Sequence, residues 1–213
     1  MAAVFLLSPA NCGGKRARIV MSERASFDLA MRLRAPEGAP LGEVFAFLSG
    51  LYFRGKLAYS RRFACEPEGL ELDGGGVFVI TPNAGLRSPD TPVTLDAIRG
   101  FAGVDVSVDN PQYRLPLEHS ARVLASEIGD CPVVLLGSIA SPKYVDVLLD
   151  IFGDRLLFPE AFVGRGDMSR GGLLLRCVDS GEELSYVPVA GAVRKGSRPA
   201  RLDPATRPKP RQP

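Results

Sequence analysis

Residues Phe162 to Arg176 read FVGRGDMSRGGLLLR, with Arg165 and Arg170 around the pair Met168–Ser169 and glycines on either side. Arginine presents a planar fork of donors matched to phosphate or carboxylate, and glycine lets a backbone approach a ligand closely. The stretch reads either as an anion-binding loop or as a surface turn ahead of an apolar strand. A second candidate follows the apolar run Val4–Leu7. It is Cys12-Gly13-Gly14-Lys15-Arg16-Ala17-Arg18, where backbone N–H groups and basic side chains together suit an anion. Its spacing is not that of a phosphate-binding P-loop. Lys15 is the candidate nucleophile or base, provided that burial or a neighbouring cation lowers its pKa. Cys12 is a second candidate nucleophile, its thiolate favoured by Lys15 or Arg16. Arg16, Arg54, Lys56, Tyr59, Arg165 and Arg170 are candidates for holding nucleic acid or phosphate. Ser8, Asn83 and Ser169 would supply a polar cleft with hydrogen bonds for a base.

These groups need elements to position them. Val4–Leu7 reads as a buried strand that stops at Ser8-Pro9, and the Cys12–Arg18 stretch follows it as a loop. Ser22 suits the N-cap of a helix running to Arg34, and Pro40 the start of another with Leu41, Val44, Phe45 and Leu48 on one face. In Tyr52–Phe63, aromatics interleave with Arg54, Lys56, Arg61 and Arg62. Such a segment either stacks on nucleic acid or turns an aromatic stripe to the core and a basic face to water. Val77–Ile80 and Pro132–Leu136 read as buried strands, and Val104–Val108 as a further one. A helix over Pro116–Ile128 carries His119, the only histidine, on its polar side. Ser141-Pro142 opens a helix to Phe152 that Gly153 stops. Leu156–Phe158 is a short strand, Leu173–Leu175 is open between helix and strand, and Glu183–Val189 is a last strand.

Strands alternating with helices imply an α/β fold, a single compact domain with a mixed sheet flanked by helices. It is expected over residues 1–190, with residues 191–213 a disordered tail rich in Arg, Lys and Pro. The loop after the first strand and the Arg165–Arg170 segment are expected to converge on one cleft. The four cysteines are scattered and there is one histidine, so no tight metal site is indicated and no cofactor is identified. No apolar run reaches membrane-spanning length and the opening AAVFLL is short for a secretory leader, so a cytoplasmic protein is expected. The net charge of +2 is unevenly distributed. Residues 1–64 carry ten Lys/Arg against four Asp/Glu, residues 65–193 nine against nineteen, and residues 194–213 seven against one. Basic character is therefore local, and any polyanion would meet it at a patch.

Several stretches together resemble the YaaA family of peroxide-stress-resistance proteins. They are Phe5-Leu6-Leu7-Ser8-Pro9-Ala10 followed by Lys15, Phe53-Arg54-Gly55 with Tyr59, Asn83–Asp90, and Arg165-Gly166-x-Met168-Ser169-Arg170. The last is the most specific. The lysine stands five residues after Ala10 where the family has it adjacent, and Ala84 replaces the family's tyrosine. Cys12 and Lys15 are also similar to a Cys…Lys pattern in the lysine-dependent domain of archaeosine synthase. The resemblance implies a YaaA-like nucleic-acid-binding protein with a basic polar cleft, DNA or a nucleotide-like ligand as partner, and a place in the oxidative stress response. The alternative it implies is an enzyme modifying a nucleobase or nucleotide, with 7-deazaguanine-type chemistry at Lys15 or Cys12.

Overall fold

The computed structural model describes residues 2–140, 142–193, 196, 197, 199 and 202. At its centre is β1 (Val4–Leu7), with all four side chains buried. The chain then forms α1 (Lys15–Val20), α2 (Asp28–Arg34), a two-residue β2 (Ala39–Pro40), α3 (Leu41–Ser49) and α4 (Leu51–Phe63). Next come β3 (Val77–Ile80), β4 (Leu86–Arg87), β5 (Pro92–Val93), α5 (Leu95–Ala102), α6 (Pro111–Ile128) and β6 (Val133–Leu136). The last elements are α7 (Pro142–Phe152), β7 (Leu156–Pro159), α8 (Asp167–Ser180) and β8 (Tyr186–Pro188). A six-stranded mixed sheet has the order β4-β3-β1-β6-β7-β8, and β2 pairs with β5 apart from it. The four inner strands are parallel; the edges β4 and β8 are antiparallel.

Side chains alternate along a strand, so β1 feeds two cores. Phe5 and Leu7 pack with residues of α1 to α5 and α8, whereas Val4 and Leu6 pack with α6 and α7. The continuous apolar runs of β1 and β6 are what burial on both faces requires. The chain leaves β1 for β3 on one side and returns to place β6 on the other. The crevice at the carboxyl ends of β1 and β6 is therefore a topological switch point, where open α/β sheets bind ligands.

The structure departs from the sequence expectations in several places. Lys15–Val20 is helix, because Ala17 and Val20 at i and i+3 anchor one face while Lys15, Arg16 and Arg18 stay in water. The helix expected from Ser22 begins only at Asp28. Arg34 donates to the carbonyls of Ser22, Glu23 and Ala25 and so holds that stretch as a loop. Helix α6 starts at Pro111, capped by Asn110, whose side chain accepts from the Gln112 N–H. Val104–Val108 is irregular. Leu173–Leu175 is helical, within α8. Ser141 and most of 194–213 lie outside the described residues; Gly196, Ser197, Pro199 and Leu202 have no regular secondary structure.

Candidate functional site

The candidate site is centred on Lys56. Tyr52, Phe53, Lys56, Tyr59 and Ser60 share the buried face of α4, and Lys56 is only 2% exposed. Its Nζ donates to the Ser8 carbonyl oxygen at 2.6 Å and to Ser8 Oγ at 2.9 Å. It also lies 4.7 Å from the ring centroids of Tyr52 and Phe53. Among the described residues it makes no ion pair with a carboxylate. Burial pulls its pKa from 10.5 down to about 7; Asp167 pushes it back up and Arg170 lowers it further. A lysine at that value is half neutral near physiological pH, so it can accept a proton.

Ser8 follows β1, and its N–H bonds the Leu136 carbonyl of β6 at 3.1 Å, so it stands at the switch point itself. The cavity above it has a volume of about 800 Å³. Ser8–Gly13 after β1, Pro82 after β3 and Ser138 after β6 form part of its wall. Tyr52 and Lys56 of α4, Phe101–Val106, Lys143 and Tyr144 of α7, and Asp167 and Met168 of α8 complete it. The Tyr144 hydroxyl accepts from the Ser138 N–H at 2.9 Å and donates to the Ser138 carbonyl at 3.1 Å, which fixes the loop after β6. Gly137 lets Tyr144 and Ser8 pack closely here. A Cβ on it would lie 2.8 Å from the Tyr144 hydroxyl and 3.0 Å from Ser8 Cβ. The Tyr52 hydroxyl is buried with no hydrogen-bond partner among the described residues.

Two glycines set this geometry. A Cβ on Gly55 of α4 would lie 2.7 Å from the Gly171 carbonyl oxygen, and one on Gly171 would lie 2.8 Å from Tyr52 Cα. The α4 and α8 backbones are therefore in contact, which brings Lys56 beside the first turn of α8.

The loop after β1 and the 165–170 segment do meet at one cavity, through Ser8–Gly13 and Asp167–Met168. The side chains singled out in them mostly do not. Lys15 is exposed on α1 and lines a different hollow with Arg18, Ile19 and Phe27. Cys12 lines the cavity, but burial pushes its thiol up to about 12, and it donates to the Ala10 carbonyl. The activation expected from Lys15 or Arg16 is thus outweighed by desolvation. Arg16 is exposed and donates to the Phe47 carbonyl, and Arg54 is exposed on the outer side of α4. Tyr59 is fully buried; its hydroxyl accepts from the Leu184 N–H and lies 2.6 Å from the Tyr186 hydroxyl, out of reach of a ligand.

Arg165 donates to the Ala161 carbonyl and to Ser169 Oγ. Arg170 donates to the Phe162 carbonyl, lies over the Phe162 ring and stands 3.6 Å from Asp167. Both arginines and Ser169 therefore brace the turn before α8 and form no part of the cavity wall. Asn83 lies in a separate shallow hollow with Arg87 and His119. Lys56, expected on a phosphate-facing surface, is instead the group at the cavity floor. Its spacing from Tyr52, Phe53 and Tyr59 at i−4, i−3 and i+3 was the available signal, since those positions share one helical face. Nothing local marks Tyr144, Phe101 or Asp167. The chain matches no family model, no curated protein and no solved structure.

Proposed function

We propose that this protein is an enzyme acting on a nucleobase- or nucleoside-sized ligand in the switch-point cavity, with Lys56 as its proton-transfer group. The observation that carries this reading is a fully buried lysine, hydrogen-bonded among the described residues only to Ser8, on the floor of an open polar cavity. An unpaired buried amine costs stability, and perturbed groups of this kind concentrate where chemistry is done. The volume is that of a small-molecule site, and Phe101 and Tyr52 offer flat apolar surface beside the polar atoms of Asn11 and Asp105. The resemblance to the YaaA family and to archaeosine synthase supports a nucleobase as the ligand.

A second reading, nucleic-acid binding, is favoured by the exposed cations Lys15, Arg18 and Arg24 around Ile19 and Phe27. Contacts there would be to phosphate, and so salt-sensitive and sequence-tolerant. The two readings separate in one set of measurements. A panel of nucleobases, nucleosides and nucleotides should contain a compound that raises the melting temperature of the wild type. Ligand at a hundred times its Kd adds about 2.7 kcal/mol, and Lys56→Met should abolish the shift. A panel that moves nothing would overturn the nucleobase as the ligand of this cavity. For the second, replacing Lys15 and Arg18 with alanine should lower the salt slope of duplex DNA binding by about two.

A further inference from the structure

We infer that Ser8 is a nucleophile that Lys56 activates, and that the cavity attacks an acyl carbon, an ester or amide carried by its ligand. This rests on the reading of the cavity as an active site and names its reaction. The geometry is that of a serine–lysine pair, a known variant of the serine nucleophile with its base. Lys56 Nζ stands 2.9 Å from Ser8 Oγ, within proton-transfer reach. Its second bond, to the Ser8 carbonyl at 2.6 Å, takes one N–H of the neutral amine and leaves the lone pair for the Oγ hydrogen. Ser8 is held in turn: its N–H is bonded to Leu136, and its Cβ faces the bare Cα of Gly137 beside Tyr144. These contacts hold the backbone and Cβ from which Oγ reaches the amine.

The charges favour an acyl group over a phosphoryl group. Lys56 and Lys143 line the cavity together with Asp105 and Asp167, so the wall carries no excess of cations to gather the oxygens of a phosphoryl group. A neutral acyl carbon meets no such demand.

The step balances as follows. Oγ bonds to the acyl carbon as neutral Lys56 takes its proton, and the carbonyl π pair moves to oxygen. When that pair returns, the bond to the leaving alcohol or amine breaks, and the Lys56 ammonium gives the leaving group its proton. Water then adds to the acyl-serine with Lys56 again accepting a proton. Collapse releases the carboxylic acid and returns the proton to Oγ. No oxidant or reductant is involved.

The test uses p-nitrophenyl acetate with the full chain, read by intact-mass and peptide mass spectrometry. The wild type should gain one acetyl group on the peptide containing Ser8, at a rate that rises with pH through about 7. Ser8→Ala should gain none there, and Ser8→Cys should still be acylated at that position. Lys56→Met should slow acylation by roughly 10²–10⁴-fold. Acetyl on Lys56 or elsewhere with Ser8 unmodified would overturn the proposal, and so would a wild type with native circular dichroism that neither retains acetyl nor releases p-nitrophenolate faster than Ser8→Ala. So would a rate indifferent to Lys56→Met in a folded variant. If Ser8 is acylated while no nucleobase compound shifts melting, the nucleobase reading fails and the serine–lysine pair stands. If a compound shifts melting but Ser8 stays unmodified, the serine proposal alone fails.

Discussion

Lys56 links stability to pH at the scale of one residue. Its ammonium is stripped of water by β1 and two aromatic rings, so the folded chain holds its proton less firmly than the unfolded chain. Between about pH 7 and 10.5 the unfolded state binds the extra proton, and stability therefore rises with pH across that window. Below about 7 the penalty is complete, of the order of a few kcal/mol. Lys56→Met keeps much of the stem and removes the titration. The variant should be more stable than the wild type in urea at about pH 6, and the gap should close towards pH 10. A gap of constant size would show that Lys56 stays charged in the fold. The same variant should be inactive, which would separate a cost borne for chemistry from a cost borne for folding.

At the scale of the element, the α4–α8 crossing does the positioning. Gly171 and Gly172 are adjacent, yet they face different surroundings. A Cβ on Gly171 meets the Leu51 carbonyl oxygen and Tyr52 Cα, each at 2.8 Å, whereas among the described residues one on Gly172 meets only Leu202 Cδ1 at 3.8 Å. Gly171→Ala should cost about 1–3 kcal/mol or more, because backbone atoms cannot step aside. Gly172→Ala should gain roughly 0.5–1 kcal/mol, because alanine is the better helix former. Urea denaturation of the two variants reads the difference directly, and equal effects would show that the helices are not in backbone contact. By forcing α4 and α8 apart, Gly171→Ala should also move Lys56 relative to Ser8, so any activity should fall with it.

At the scale of the whole molecule, β1 and β6 are common to both cores. Phe5 belongs to one layer and Leu6 to the other, one residue apart on one strand. Leu6→Ala should cost about 2–5 kcal/mol and Phe5→Ala about 3–5 kcal/mol. Both should lower one shared transition, seen together by circular dichroism and by tyrosine fluorescence, since the chain has no tryptophan. Two separated transitions would show that the layers unfold independently. Among the described residues, no helix is long and apolar enough to cross a membrane.

How much was legible before the structure depended on whether the signal was local. Val4–Leu7 and Pro132–Leu136 announce buried strands because burial on both faces demands uninterrupted apolar residues. Pro142–Phe152 announces a helix through its apolar spacing, and the alternation of such segments implies an α/β sheet with flanking helices. That the ends of β1 and the 162–176 stretch would share a cavity was also legible, from glycine-rich segments abutting apolar ones. Which side chains do the work was not. Arg165 and Arg170 have the composition of a phosphate clamp, yet each donates to a carbonyl, of Ala161 and of Phe162, in a turn formed only by the folded chain. Cys12 and Lys15 are neighbours in sequence, but one thiol is buried and the other cation lies in water. Ser8 and Lys56 are forty-eight residues apart and meet only because α4 is laid across the end of β1. The burial of Lys56 and its meeting with Ser8 come from desolvation and from contact between distant segments, and both are properties of the packed tertiary structure.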